Sequence, residues 1–269
     1  AMVFTLVLSG CAGTGTSDSE NQGEAASQTV ADLSVYENGD MFITPQELNE
    51  KLGDPNVIIF DANKPDAYEK GHIPGAIGVG FHSFSKVDGK PGDPLWGTTL
   101  DKEELRAKLE SYGVTNDQLV VFYSDVLPGP GPDGRNVWQM RMAGLDNVKL
   151  LYGGLPKWKE LGYEVTKDAS PDPVPSEGLE LSDFDQSYMA TKEYINENLE
   201  NTVIIDVRTE DEFNGSQKAG EARGGHITGA KHLVWSSLLN EDATPKSPEE
   251  ITSIMAELGV TPEDDFVVY

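Results

Sequence analysis

Two short turns carry the residues best placed for chemistry. Gly71-His72-Ile73-Pro74-Gly75-Ala76 follows an apolar run ending in Asp61, and Gly225-His226-Ile227-Thr228-Gly229-Ala230 follows one ending in Asp206. An aspartate and a histidine at neighbouring loop ends could relay a proton. The plainer reading is that Asp61, His72, Asp206 and His226 brace their loops at the edge where a ligand binds. Arg208, two residues past Asp206, could offer a planar fork of donors to a small anion or form a salt bridge within the scaffold, and Arg223 is a second candidate cation for the anion. In the first copy the uncharged Asn63 stands where Arg208 stands in the second. Four scattered histidines supply no cluster of metal ligands. No cofactor is expected either. The stretch 124–134 carries Pro128, Pro130 and Pro132, which remove the N–H donors that a phosphate-cradling loop needs.

The elements that must position these residues recur. Val57–Asp61 and 203–207 are β-branched runs that read as buried parallel strands. Thr44-Pro45-Gln46-Glu47 is a capped helix start, and Thr191-Lys192-Glu193-Tyr194 stands in its place later on. Helices are expected over 102–112, 135–143 and 153–162, with strands at 76–79, 119–123 and 148–151. From Leu105 onward the two copies keep one spacing: Leu105 with Ile251, Gly113 with Gly259, and Tyr123 with Tyr269 are each 146 positions apart. That regularity identifies an internal duplication. The copies differ before the histidine: Asp61 to His72 is 11 positions and Asp206 to His226 is 20, so the second carries an insertion over 214–223. The fold expected is α/β, two tandem domains, each a parallel sheet flanked by helices.

Domain boundaries follow from composition. Residues 1–11 read as an export signal, whose Leu8-Ser9-Gly10-Cys11 suits lipid attachment at Cys11, and 12–35 as a flexible tether. Residues 36–163 form the first domain. The segment 164–186, with Pro171, Pro173 and Pro175 among acids, reads as a linker that resists packing. Residues 187–269 form the second domain. The apolar run at 2–8 is too short to span a bilayer, so membrane contact is expected only through a lipid on Cys11, at a bacterial cell envelope. With 46 acidic against 20 basic residues, the net charge of -26 argues against nucleic acid as a partner. A single cysteine excludes an internal disulfide.

The paired Gly-His-Ile-x-Gly-Ala turns, the strands ending Asp61-Ala62-Asn63 and Asp206-Val207-Arg208, and the stretches from Arg135 to Gly144 and from Tyr152 to Trp158 resemble the rhodanese family of sulfurtransferases. The resemblance covers roughly 41–163 and 187–269. It implies a silent first domain and a second whose cysteine, opening the loop after the central strand, carries sulfane sulfur as a persulfide. The donor would be a small sulfur-containing anion such as thiosulfate or 3-mercaptopyruvate, and the acceptor a thiol or a cyanide-like nucleophile. After Tyr123 stands Ser124, which cannot carry a persulfide. The matching position would directly follow Tyr269, so the second domain is expected to continue past the sequence given, with its nucleophile there. Either cysteine or selenocysteine, whose codon is ordinarily read as a stop, would serve. A catalytically silent binding module is the alternative reading.

Overall fold

The computed structural model describes residues 30–269 apart from 94, 219 and 221. The signal and Cys11 lie outside them, as does most of the tether. Its end is inside: Leu33–Val35 forms a 3-10 turn capped by Asp32.

The first domain is built on five parallel strands: β1 (Phe42–Ile43), β2 (Val57–Asp61), β3 (Ile77–Gly78), β4 (Leu119–Tyr123) and β5 (Val148–Leu151). Their order is β1-β5-β4-β2-β3, and β2 and β4 pair in register from Val57 opposite Leu119 to Asp61 opposite Tyr123. Alternation along β4 divides the core. Val120 and Phe122 join Phe60, Leu105, Leu109 and Met140 on one face, while Val121 and Tyr123 join Ile59, Ile73, Leu155 and Trp158 on the other. Five helices flank the sheet: α1 (Pro45–Glu50), α2 (Pro65–Tyr68), α3 (Lys102–Ser111), α4 (Pro132–Met142) and α5 (Gly154–Glu160). Reciprocal capping boxes open α1 at Thr44 and Glu47 and α3 at Asp101 and Glu104. Two elements differ from expectation. The edge strand β1 is too short to show a period, and α4 begins at Pro132 rather than Arg135, because proline suits a first helical turn.

The second domain repeats the plan with α6 (Lys192–Glu197), β6 (Val203–Asp206), α7 (Glu210–Phe213), β7 (Lys231–His232), α8 (Pro248–Glu257) and β8 (Phe266–Val268). Its parallel order β7-β6-β8 matches β3-β2-β4. Both sheets are parallel and carry helices, the tandem α/β architecture read from the sequence. Phe266 and Val268 are half exposed, whereas their counterparts Val120 and Phe122, covered by α4 and β5, are buried.

The segment 164–186 differs from its expected character. It is extended but packed along the first domain. Thr166 bridges to His72 through both backbone hydrogen bonds, Ser176 N donates to Glu110 O (2.9 Å) and Ser182 N to Ala143 O (2.8 Å). Asn116 and Glu180 exchange two bonds, and Leu179 enters the core. Prolines prevent this segment from forming helix or ladder; they do not prevent it from laying apolar side chains onto a neighbour. Leu179→Ala is therefore expected to cost about 3 kcal/mol, read from the denaturation midpoint, while Val174→Ala on the exposed side of the same strap leaves it unchanged.

Candidate functional site

The strand ends and the two histidine turns are tied by a tyrosine that the sequence marks only as a repeat position. Tyr123 Oη accepts the Ile73 amide (3.0 Å) and its carbonyl accepts the Ala62 amide (2.9 Å). Tyr269 does the same in the second domain, with Ile227 N at 2.8 Å and Val207 N at 3.0 Å. Each hydroxyl also faces the aspartate of the neighbouring strand, Asp61 or Asp206. Strand end, turn and central strand are thus fixed to one another at the sheet's C-terminal edge, where open α/β sheets bind ligands.

Asp61 and Asp206 occupy the same place and differ in charge balance. Both side chains are buried. Asp61 Oδ1 accepts the Asn63 amide (2.8 Å) and Oδ2 has no partner; burial pushes its carboxyl above the usual range against the Asn63 and Tyr123 bonds. Burial acts most strongly on Asp206 too, but the Arg208 and Tyr269 bonds together with the Arg208 charge outweigh it and hold the carboxyl below the usual range. Arg208 Nε and Nη2 donate to the two carboxylate oxygens at 3.0 and 2.6 Å, and Nη2 also reaches Gly225 O at 2.9 Å. The guanidinium lies over the Tyr269 ring, 5.3 Å from its centroid. Of the two roles the sequence offers Arg208, substrate contact and scaffold ion pair, the geometry shows the ion pair: Nε and Nη2 both engage the buried Asp206 carboxylate. Arg223 is exposed near the end of the insertion, away from this pair's hydrogen bonds.

The histidines hold turns. His72 stacks on Tyr68 (3.8 Å), and its ring nitrogens meet Tyr68 O and Asp168 O at 3.0 and 3.1 Å. His226 stacks on Phe213 (3.7 Å) with Nδ1 at 2.9 Å from Phe213 O. Among the described residues no group of three or more His, Cys, Asp or Glu could hold a metal.

The loop after β4 leaves the first domain without an open cradle for an anion. Ser124 is buried at its head. The Asp125 amide is taken by Asn63 Oδ1 (2.9 Å) and the Val126 amide by Ser124 Oγ (3.0 Å), so neither points to a ligand. The positive end of α4 already faces a carboxylate: buried Asp133, surrounded by the Ser124 hydroxyl and the amides of Ser124, Asp133 and Gly134. Burial pushes that carboxyl up, against those bonds. No spacing in the sequence marked Asp133. The two C-terminal edges meet across the domain boundary, where the Trp235 ring covers Gly131 and Lys157 Nζ pairs with Asp242 (3.0 Å).

Arg208→Met would put Asp206 in the state of Asp61. Its carboxyl would rise, and at neutral pH the second domain would lose roughly 3 kcal/mol. The native pair stabilises above the unfolded aspartate pKa of about 4 and that contribution is lost as pH falls through the lowered folded value. The difference between variant and native midpoints must therefore shrink on acidification, measured by denaturation across pH.

Three comparisons bear on the arrangement. The sulfur carrier protein TtuD of Thermus thermophilus is 29% identical over 249 residues, covering 87% of this chain and 83% of that protein. A putative thiosulfate sulfurtransferase of Saccharopolyspora erythraea is 28% identical over 245 residues, 86% of this chain and 81% of its own. The solved structure of an anaerobic ergothioneine biosynthesis enzyme from Chlorobium limicola superposes with a TM-score of 0.70 at 24% identity, over 87% of this chain and 61% of that one; this likeness concerns the fold. The rhodanese-like domain pattern matches residues 44–161 and again 191–269, and with both copies matched, the chain belongs to the rhodanese-like family.

Proposed function

We propose that the chain is the scaffold of a sulfurtransferase that moves a sulfane sulfur from thiosulfate or 3-mercaptopyruvate to a thiophilic acceptor, with the sulfur carried on the residue directly after Tyr269. The observation that carries the proposal is the equivalence of Tyr269 with Tyr123: both make the same two hydrogen bonds, to the histidine turn and to the residue just past the neighbouring strand, Ala62 or Val207. The position after Tyr269 then falls where Ser124 stands, at the head of a loop and below a helix N-terminus. The names of the curated relatives, a sulfur carrier and putative thiosulfate sulfurtransferases, support the same chemistry.

In the proposed reaction a thiolate, or selenolate, attacks the outer sulfur of thiosulfate. The donor S–S bond breaks, sulfite leaves with the electron pair, and an enzyme persulfide or selenenyl sulfide remains. An acceptor nucleophile then attacks the terminal sulfur and the thiolate leaves, so no external oxidant or reductant enters. The chain's own residues shape that edge. Arg208 neutralises Asp206 beside the reacting position, where an unpaired carboxylate would repel an anionic donor. Ile227 and Tyr269 fix the turn that walls it. A lipid on Cys11, holding the protein at a bacterial envelope, belongs to the same proposal and rests on the sequence alone.

The gene read past the Tyr269 codon is expected to continue in frame with a cysteine or selenocysteine codon and a glycine-containing loop. Its full product should release thiocyanate from thiosulfate and cyanide. A full product that binds thiosulfate without turnover would make this a binding module instead. Ser124→Cys in the first domain should gain no sulfur-loading, since Asp133 and Asn63 already occupy its donors; a thiosulfate-dependent mass gain on the substituted side chain would contradict the reading of that loop.

A further inference from the structure

The two copies differ in length at two places, and those places touch. Aspartate-to-aspartate separation is 145 positions, histidine-to-histidine 154, and Leu105 to Ile251 146. The second domain therefore gains nine residues before His226, and the first gains eight after its third strand. The latter are visible as the loop closed by the Ser85–Thr99 bridge, thirteen residues long, against five inside the matching Leu239–Pro245 bridge.

Each insertion is a loop with a closed neck. In the first domain the Ser85–Thr99 bridge is reinforced by Lys86 N to Thr98 O (2.9 Å) and Gly97 N to Lys86 O (2.6 Å). His82 packs edge-on against Trp96 (4.7 Å), and Arg135 donates to Ser85 Oγ (2.6 Å) and to Gly97 O. In the second domain the neck is where Gly224 passes so near Gly215 that a Cβ on Gly224 would run into the Gly215 carbonyl. The tips meet backbone to backbone. A Cβ on Gly220 would lie 2.6 Å from Pro91 O, and one on Gly92 would run into the Gly220 carbonyl. Gly92 and Gly220 are both left-handed, with φ +94° and +88°, so neither tolerates a side chain for two separate reasons.

We propose that these loops are a matched interdomain clasp. The extra residues in one domain are the docking surface for the extra residues in the other, and together they hold the Gly225–Arg208–Asp206 edge in register with the first domain. The coupling path is short: the insertion ends at Arg223, Gly224 closes its neck, and the next residue's carbonyl accepts Arg208 Nη2. The clasp stands whether or not sulfur transfer does.

Coupling between two sites is reciprocal, and hydrogen exchange reads it peptide by peptide. Gly92→Val should raise exchange across 222–227 in the other domain by about tenfold, and Gly220→Val should raise it across 86–98 by a similar factor. Gly97→Ala is the control: it lies in the same loop at φ +75° with no atom within 4 Å of its Cβ site, so it should leave 222–227 unchanged. Amides of β2 and β4 report folding; should valine accelerate them, Gly92→Ala and Gly220→Ala make the smaller intrusion at the same contact. Acceleration confined to the substituted loop, or equal in the Gly97→Ala control, overturns the clasp.

Discussion

A single tyrosine hydroxyl at the end of a central strand fixes the geometry on which each domain relies. It accepts the amide of the isoleucine that follows the turn histidine and faces the aspartate ending the next strand. Three segments far apart in sequence are thereby located by one oxygen. The bond in the first domain is fully buried, so the Ile73 amide has no water to fall back on. In the second domain the same bond ties Ile227 to the end of β8.

The two domains then diverge through charge. Where the second places Arg208 against Asp206, the first has Asn63, whose side chain turns instead to the Asp125 amide. In the first domain the amides of the loop after β4 and of the start of α4 turn to that domain's own Asn63, Ser124 and Asp133.

Much of this was legible in the residues, for identifiable reasons. The β-branched runs ending in Asp61 and Asp206 are buried on both faces and read as strands on composition alone. The 146-residue spacing located the duplication and already paired Tyr123 with Tyr269, though not what their hydroxyls do. Three features were not legible. Arg208 could be read as a substrate contact or as a scaffold ion pair, because the burial of Asp206 could not be seen. Asp133 follows a proline in what read as loop, and only the helix beginning at Pro132 turns it into the cradle. The 164–186 strap carries too few apolar residues to show a period, yet Leu179 is enough to seat it. In each case the deciding quantity was burial, which spacing does not report.

The two insertions nearly compensate in length along the chain and meet in space, next to the Gly225–Arg208–Asp206 edge. The central proposal is chemical, that the residue after Tyr269 carries the sulfur. Intact and peptide mass spectrometry of the natively produced polypeptide after incubation with thiosulfate tests it directly. Gain of one sulfur atom on the peptide beginning after Tyr269, lost again on adding cyanide, is the predicted result. A polypeptide that gains no sulfur, or gains it at a residue elsewhere, would contradict the account.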